Sequence, residues 1–282
     1  MNSIMKIGNQ SFDLHRHTYV MGILNVTPDS FSDGGSYRHM DDVLRRVEEM
    51  IAEGAHVIDV GGESTRPGYT MISVEEEIDR VAPVVEQITQ RFDIPVSVDT
   101  YKYKVADAVL KSGAHMINDI WGLQYVDDEN QQMAQVIAKY QAVCCLMHNQ
   151  SHTIYQQLIP DCIRFLKRST DIALKHDIST DKIMLDPGIG FGKTYEQNLQ
   201  VMRNLSAFHA LDYPLLLGTS RKSMIGLALD LPKEERMEGT LATSVMAVMA
   251  GWHFVRVHDI KENVRAIKMT EAILYQDGEN NG

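Results

Sequence analysis

The chain has little of what marks several classes of protein. Its 282 residues include three cysteines (Cys144, Cys145 and Cys162), and two of them are adjacent within an apolar run. This number and spacing argue against a disulfide framework or a metal cluster, and predict reduced core cysteines. No apolar run approaches the roughly 18 residues of a membrane span, and the N-terminal residues lack a signal-peptide core. We therefore expect a cytoplasmic protein without a membrane partner.

Positive charge is also scarce. The chain has 27 lysines and arginines against 38 aspartates and glutamates, for a formal net charge of −11. This balance argues against nucleic acid or an anionic membrane as a partner, and favours small molecules. The absence of HExxH and CxxC patterns and of a carboxylate cluster argues against tightly bound zinc.

What the chain does have is a recurring pattern, in which a short apolar run ends directly in polar residues. It occurs in MGILNVTPDSFSDGG at 21–35, VIDVGGESTRPG at 57–68, PVSVDT at 95–100, MIND at 116–119, IMLDPGIGFG at 183–192, LLLGTSRK at 215–222 and FVRVHD at 254–259. Polar groups at the ends of buried strands are where α/β proteins carry their chemistry. Seven such endings predict an architecture built around an active site.

Strand-like and helical patterns alternate along the chain. The strand-like runs lie near 19–24, 57–60, 96–98, 115–117, 142–146, 182–185, 215–217 and 254–257. Eight such units predict an α/β fold, a (β/α)₈ TIM barrel in a single domain spanning 1–282, with the active site at the C-terminal ends of the strands. A doubly wound open sheet is the alternative, but it would concentrate the polar ends at one switch point. The helix at 235–251 is apolar nearly all round, which suggests either a subunit interface or a cover of neighbouring loops.

Two carboxylates and one amide end strands. Asp99 and Asp186 can each accept two N–H bonds from a guanidine-like ring edge, or stabilise positive charge. Helix capping is the other role for Asp99. Asn118 offers a donor and an acceptor to a heterocycle edge, or serves as a turn residue. Asp59 lies inside its run, as either a ligand or a buried structural group.

The segment PGIGFGKT at 187–194 looks like part of a phosphate loop, but Pro187 stands where that motif needs glycine. We interpret its glycines as letting Phe191 close over a flat ligand; a simple tight turn is the alternative. Lys222 ends the seventh strand, where it can act as a cationic donor or form an imine. Two aspartates expected in the same place favour the charged form.

An anion site is predicted where the sheet closes. Arg256 and His258 alternate on the last strand and so share a face, and Asn25 ends the neighbouring first strand. These three could hold a phosphate or diphosphate, with Mg²⁺ bridging to an oxygen ligand. The segments 26–37 and 61–72 are rich in small polar residues and are interpreted as mobile active-site loops.

The motifs together resemble one family. NVTPDSFSDGG at 25–35 and GGESTRPG at 61–68 resemble the two signatures of the dihydropteroate synthases, a pterin-binding TIM-barrel family, and SVDT, IND, DPGIGF, GTSRK and RVHD follow in the family's order. The resemblance implies a barrel that is typically a homodimer and uses Mg²⁺. It implies condensation of 6-hydroxymethyl-7,8-dihydropterin diphosphate with p-aminobenzoate, giving 7,8-dihydropteroate and diphosphate for folate synthesis. Sulfonamides, which imitate p-aminobenzoate, would then compete.

The resemblance also implies the roles of individual residues. The pterin would be bound by Asp99, Asn118, Met147, Asp186, Lys222 and Arg256, with core packing as the other role for Met147. The p-aminobenzoate would be bound by Thr65, Arg66, Pro67, Phe191, Ser220 and Lys222. The diphosphate would be bound by Asn25, Arg256 and His258, with the metal at Asn25. Asp99, Asp186 and Lys222 would be catalytic in an SN1-like substitution, because two carboxylates can stabilise a methylene cation; a concerted displacement is the rival.

Three other functions stay open at this point. A methyltetrahydrofolate-type methyltransferase barrel would share the ring-binding aspartates and asparagine, but would not need the two loops or the anion site. A non-catalytic pterin-binding paralogue would have lost part of them. A lysine-imine aldolase would use Lys222 in its neutral form.

Overall fold

The computed structural model describes residues 3–26, 37–63 and 71–275. The strands are β1 Ile4–Ile7, β2 Gln10–Asp13, β3 Tyr19–Asn25, β4 Val57–Gly61, β5 Val96–Asp99, β6 Met116–Asp119, β7 Val143–Met147, β8 Ile183–Asp186, β9 Leu216–Leu217 and β10 Phe254–Val257. The helices are α1 Tyr37–Ala52, α2 Val74–Arg91, α3 Tyr103–Lys111, α4 Gln132–Tyr140, α5 Leu158–Lys175, α6 Tyr195–Arg203, α7 Ser223–Leu229, α8 Met237–Met249 and α9 Ile260–Leu274.

The parallel strands form a barrel. Their order is β8-β7-β6-β5-β4-β3-β10-β9, and one parallel bridge between Leu185 and Leu215 joins the two ends of this sheet. At that seam the Leu185 N–H donates to the carbonyl oxygen of Pro214 at 2.9 Å. Strands β4 to β8 are buried along their whole length, as expected for parallel strands covered by helices. The predicted (β/α)₈ barrel is confirmed, and the open-sheet alternative is wrong.

Side chains cap the starts of helices α6 and α2 in different ways. Thr194 and Gln197 form a reciprocal capping box at the start of α6. At the start of α2, Ser73 accepts from the Glu76 N–H, but the Glu76 carboxylate pairs with Arg80 instead of returning to the cap. Both caps satisfy N–H groups that a helix start would otherwise leave without partners.

A hairpin that the sequence analysis did not predict closes the N-terminal end of the barrel. Strands β1 and β2 pair antiparallel through a two-residue turn, which Gly8 enters with φ of +59°. Four hairpin side chains pack with the inward-facing residues at the start of the barrel strands, namely Met5, Ile7, Phe12 and Leu14 against Met21, Val57, Met116, Val143, Cys145, Met184, Leu216 and Phe254. Because each fully buried side chain contributes about 1.5–3 kcal/mol, the hairpin is part of the core, and the opposite end is left for ligands.

Helix α8 has an unusual arrangement of polar and apolar side chains. Its small hydroxyl residues Thr240, Thr243 and Ser244 are buried, whereas Met246 and Met249 are 40% and 67% exposed. The hydroxyls bond inward: the Arg221 N–H donates to Thr240 Oγ1 at 3.1 Å, and Ser244 Oγ donates to Asn263 Oδ1 at 2.7 Å. The buried face, which also includes Ala247 and Val248, therefore supports the loop after β9, while Met246 and Met249 are directed outward.

None of the helices in the described ranges has the length and apolar content that crossing a bilayer requires.

Candidate active site

Predicted site residues from three strand ends surround Gly218, just after β9. A Cβ atom placed on this glycine would lie 3.6 Å from Asp186 Oδ2, 3.8 Å from Lys222 Nζ and 4.0 Å from Arg256 Cβ. The fold therefore brings one aspartate, the lysine and the arginine to one point at the C-terminal end of the barrel. A Cβ there would be in ordinary van der Waals contact with all three, so the three side chains face the same position.

A second group of predicted residues adjoins the first across β3, β4, β5 and β6. The strand register pairs Asn25 with Gly61, Gly61 with Asp99, and Asp99 with Asn118. A Cβ atom on Gly61 would lie 3.6 Å from Asn25 Oδ1 and 3.9 Å from Asp99 Cβ. The predicted diphosphate residue Asn25 and the predicted pterin residues Asp99 and Asn118 are therefore neighbours.

Arg256 links two carboxylates. Its Nε donates to Asp59 Oδ2 at 2.5 Å and its Nη2 donates to Asp99 Oδ2 at 2.8 Å, while Asn118 Nδ2 donates to Asp59 Oδ2 at 3.3 Å. Burial works against the charge of Arg256, but the carboxylates of Asp59 and Asp99 raise its pKa. Asp59 therefore has the contacts of a buried structural group that positions Arg256 and Asn118, and its Oδ1 remains available to a ligand.

The two aspartates each retain unused capacity to accept hydrogen bonds. Oδ1 of Asp59 and Oδ1 of Asp99 are buried, and neither has a hydrogen-bond partner among the described residues. Buried polar atoms are normally satisfied, so such exceptions are typical of ligand sites. Asp186 uses Oδ1 to accept the Gly188 N–H at 2.7 Å. Its Oδ2 lies beside Gly218.

Burial shifts the acid–base properties of the ionisable groups toward neutral pH. It raises the pKa of Asp99 to about 7, with Arg256 acting in the opposite direction, and raises the pKa of Asp186, opposed by Lys222. Burial also lowers the pKa of Lys222 to about 8, against the effect of Asp186. Shifts of this kind, with identified partners in a concave site, are characteristic of functional centres.

Lys222 is held by the glycine-rich turn after β8. Its Nζ donates to the carbonyl oxygen of Ile189 at 2.5 Å and lies 4.8 Å from the centroid of the Phe191 ring, a cation–π distance. With a pKa of about 8, this amine is mainly protonated at neutral pH. The geometry therefore supports the cationic donor over the imine of an aldolase.

The turn itself depends on glycine. Gly188, Gly190 and Gly192 have φ values of +69°, +86° and +55°, in the left-handed region where a Cβ is strained. A Cβ on Gly188 would also lie 2.0 Å from the carbonyl oxygen of His148. Only glycine fits there, and the sequence-based rejection of a phosphate loop agrees with this backbone, which is bound to the end of β7.

Ser220 and His258 form a pair beside Arg256. The His258 N–H donates to Ser220 Oγ at 3.1 Å, and the same Oγ lies 2.9 Å from His258 Nδ1. Burial, together with the charge of Arg256, lowers the pKa of His258 to about 4. When the Ser220 hydroxyl donates to Nδ1, the neutral ring carries its proton on Nε2. His258 is thus an uncharged donor, so Arg256 supplies the cation of the predicted anion site.

An apolar cluster forms the remaining wall. Met147, Tyr101 and Ile120 are buried together, and Trp121, Tyr125 and Phe191 pack against them. This cluster is separate from the main core, and the packing of Met147 on a ligand stays a prediction. The sequence analysis predicted Phe191 but missed Tyr101, Trp121 and Tyr125, which follow polar endings and carry no periodic signal.

Part of the predicted site lies outside the described residues. Thr65, Arg66 and Pro67 fall there, as does most of the predicted mobile loops 26–37 and 61–72. At the described ends of the second loop, Glu63 accepts from Lys102 Nζ at 2.5 Å and from the Ile72 N–H at 3.0 Å. One buried carboxylate thus joins the residues on both sides of that segment.

The donor set for a metal is sparse in the part of the chain that the structure describes. No group of three or more histidines, cysteines, aspartates or glutamates there could hold a metal ion. Asn25 ends β3 with an exposed side chain whose Oδ1 is directed toward Gly61. An amide oxygen suits Mg²⁺, which is commonly bound through one or two protein ligands together with substrate phosphates. The residues present therefore fit Mg²⁺ held mainly by a phosphorylated substrate.

A barrel with buried carboxylates, an amide and two cations at its C-terminal end is suited to a polar heterocycle that carries an anionic group. The model of a protein family described as pterin binding enzyme matches residues 21–258. The chain belongs to this family.

Similar proteins identify the group within this family to which the chain is most alike. The dihydropteroate synthase of Clostridium beijerinckii is 56% identical over 96% of this chain and 99% of its own length. A solved dihydropteroate synthase from Clostridium difficile, described in the presence of pteroic acid, is 48% identical with a TM-score of 0.88, covering 94% of this chain and 100% of that one. The Yersinia pestis dihydropteroate synthase, solved as a sulfonamide drug complex, is 42% identical with a TM-score of 0.88, covering 97% and 100%. Within the family, the chain groups with the dihydropteroate synthases.

Proposed function

We propose that the chain is the enzyme that joins 6-hydroxymethyl-7,8-dihydropterin diphosphate to p-aminobenzoate, giving 7,8-dihydropteroate and diphosphate. The observation that carries this proposal is the convergence of Asp99, Asp186, Lys222 and Arg256 at one end of a barrel whose relatives are dihydropteroate synthases. The unused Oδ1 atom of Asp99 adds an acceptor for a ring N–H.

Each polar edge of the pterin finds a matching group. The carboxylates of Asp99 and Asp186 accept N–H bonds from the guanidine-like edge, and the Asn118 amide meets the edge that mixes N and N–H groups. Met147 packs on the ring within the apolar cluster. Lys222 and Arg256, both cationic, contact the pterin from the side of the barrel where β8, β9 and β10 end.

The substitution is SN1-like. The bond between the methylene carbon and the diphosphate oxygen breaks, and its electron pair leaves with the diphosphate. The resulting methylene cation is conjugated with the dihydropterin and is stabilised by the negative charges of Asp99 and Asp186. The arylamine nitrogen of p-aminobenzoate then gives its lone pair to that carbon, and its proton passes to solvent. A primary arylamine needs no strong base for this step.

The leaving group is received at the anion site. Arg256 supplies positive charge, His258 donates from Nε2, and Asn25 donates from its amide nitrogen. Mg²⁺, which is proposed as the cofactor, would be held by Asn25 Oδ1 and would neutralise charge on the diphosphate. The exposed position of Asn25 next to Gly61 supports this assignment.

The p-aminobenzoate site lies toward the outer rim. Phe191 offers a ring face, and Lys222 and Ser220 offer donors for the carboxylate or the amine; Thr65, Arg66 and Pro67 complete the proposed set. Sulfonamides, which imitate p-aminobenzoate, should compete for the same site. The Yersinia pestis relative solved with a sulfonamide supports this expectation.

Two further properties complete the proposal. The outward apolar face of α8, with Met269 and Ile273 of the adjacent α9 at 62% and 65% exposed, supports a homodimer formed through these helices. Met249→Lys should then convert a dimer into a monomer in sedimentation velocity. Three buried free cysteines support a reducing, cytoplasmic location.

The decisive experiment measures diphosphate release by the purified protein with Mg²⁺ and the dihydropterin diphosphate, with and without p-aminobenzoate. Release that rises with p-aminobenzoate and yields dihydropteroate supports the synthase. Tight pterin binding without release would make the protein a pterin-binding relative and would refute the catalytic roles.

The bond-breaking order has its own test. Deuterium on the methylene should give a secondary isotope effect clearly above unity if the cation forms. An effect near unity would favour the concerted displacement.

A further inference from the structure

A second buried lysine lies behind the glycine-rich turn. Lys193 has only 9% of its surface exposed, and its Nζ contacts His148 Nδ1 at 2.8 Å, the Gly188 carbonyl oxygen at 2.9 Å and the Phe191 carbonyl oxygen at 3.0 Å. These three acceptors satisfy the three N–H donors of an ammonium group. No carboxylate of the described residues lies within 4.0 Å of it to form an ion pair.

This arrangement is costly for the protein. A buried ammonium without a carboxylate partner is unfavourable, and burial lowers the pKa of Lys193 to about 8. Its histidine partner is kept neutral, since burial and Lys193 lower the pKa of His148 to about 2. Lys193 lies in the sequence GKT that a phosphate loop would use, yet its charged end is directed into the protein, onto His148 and the carbonyls of Gly188 and Phe191.

The turn whose carbonyls Lys193 contacts also positions two proposed substrate contacts, the Phe191 ring and the Lys222 amine. Ile189 lies between Gly188 and Phe191, and its carbonyl oxygen accepts a hydrogen bond from Lys222 Nζ. The Phe191 ring lies against the same Nζ. Lys193 therefore holds the backbone of the turn, and that backbone positions Lys222.

Other contacts also hold the turn. Asp186 Oδ1 accepts the Gly188 N–H at 2.7 Å, and the Phe191 N–H donates to the Gly188 carbonyl oxygen at 3.1 Å. Asn198 Oδ1 accepts the Gly190 N–H at 2.7 Å, and Tyr155 donates to the Gly192 carbonyl at 2.6 Å. Among the side chains of the described residues, Lys193 is the one that contacts the carbonyls of both Gly188 and Phe191, in a turn that its glycines leave conformationally free.

We propose that Lys193, seated on His148, is a positioning residue for the p-aminobenzoate step: by holding the carbonyls of Gly188 and Phe191 it fixes the Phe191 ring and the carbonyl that orients Lys222. This inference rests on the proposed function. It concerns mainly the second substrate: Asp99 and Asn118, proposed for the pterin, lie on β5 and β6, whereas Asp186 and Lys222, which contact the turn, are shared with the pterin.

The test is Lys193→Met, which keeps an unbranched side chain that is one heavy atom shorter and removes its charge and donors. The KM for p-aminobenzoate should rise roughly 10- to 100-fold, the scale of a misplacement of about 1 Å. The Kd of the dihydropterin diphosphate should rise by a smaller factor, because Asp99 and Asn118 keep their positions on β5 and β6. The inhibition constant of a sulfonamide should rise in parallel with the KM.

His148 provides a milder and independent pair of variants. His148→Leu removes one of the three acceptors, and should raise the KM for p-aminobenzoate roughly 3- to 10-fold. His148→Asn, which places an acceptor near the position of Nδ1, should restore most of it. Lys139→Met is the matched control, because Lys139 is an exposed lysine paired with Asp107; its kinetics should equal those of the parent.

The outcomes separate this inference from the proposed function. Parent protein that makes no dihydropteroate refutes the function. If the parent is active, an unchanged KM for p-aminobenzoate in Lys193→Met overturns the inference. An equal loss of binding for both substrates, in proportion to the loss of folded protein, also overturns it. If Lys193→Met does not fold, the His148 pair decides: a KM raised by leucine and restored by asparagine supports the inference, and two equal values overturn it.

Discussion

Replacement of Asp99 by asparagine should reduce activity without reducing stability. In the ligand-free protein, Asp59 and Asp99 share one arginine, so this buried trio carries a net charge of −1 when both carboxylates are ionised. The substitution removes this excess negative charge, and Arg256 keeps Asp59 as its ion-pair partner. Asparagine has nearly the same shape, so little repacking is required.

Two effects should reduce activity: the loss of a hydrogen bond to the pterin and the loss of a negative charge near the methylene cation. A hydrogen bond to a charged group contributes about 1.5–3 kcal/mol, which corresponds to a loss of about 10- to 150-fold in pterin affinity. Loss of a negative charge that faces the methylene cation should lower kcat by a further factor on the order of 10².

The stability should stay equal or rise. Burial raises the pKa of Asp99 from 3.8 to about 7, so the folded state binds this proton more tightly than the unfolded chain does. Ionisation of Asp99 therefore reduces stability as pH rises from about 4 to 7. Above about pH 7 the Asp99→Asn variant does not have this loss of stability, so its Tm should equal that of the parent or exceed it by about 2–4 °C.

The assay combines calorimetric binding of the dihydropterin diphosphate, diphosphate release and thermal unfolding at pH 8. Asp107→Asn, at an exposed ion pair, is the matched control and should leave the kinetic constants unchanged. A kcat/KM within about threefold of the parent would remove Asp99 from the site. A Tm lower by more than about 5 °C would refute the charge argument, because it would mean that Arg256 needs both carboxylates.

Three other outcomes follow from the site. The kcat/KM for the dihydropterin diphosphate should rise with pH through the Asp99 pKa of about 7 and fall above the Lys222 pKa of about 8, since the site uses a carboxylate and an ammonium; a flat profile from pH 6 to 9 would contradict this. Gly188→Ala should lower the free energy of unfolding by about 2–4 kcal/mol, because the added Cβ meets the His148 carbonyl at a positive φ; equal denaturation midpoints would contradict it. His258→Phe should weaken inhibition by the product diphosphate about tenfold while binding of a pterin without a phosphate is unchanged, and an equal loss for both would show that the ring only supports packing.

Much of the site could be predicted because its residues stand at the ends of strands. Asp99, Asp186 and Arg256 directly follow or end apolar runs, and a parallel barrel must gather such positions at one end. The apolar runs located eight strands to within one or two residues. Family motifs added the assignment of each residue to a part of the substrate, which strand position alone does not give.

The remaining features depend on contacts between distant segments. The β1–β2 hairpin pairs four-residue strands, too short for a clear period, and its Met5 and Phe12 are buried only because the barrel end receives them. The role of Lys193 depends on His148, 45 residues earlier in the chain. The inverted polarity of α8 follows from the loop that its hydroxyls support, which hydrophobic patterning along one helix does not report.

The seam of the barrel has a consequence for how the enzyme holds its substrates. Strands β8 and β9 are joined through one bridge, between Leu185 and Leu215; Asp186 ends β8, and Lys222 follows β9. A molecule that binds both side chains spans this join in the sheet. In the proposed complex the pterin therefore adds a second connection between two strand ends that the protein itself joins through one bridge.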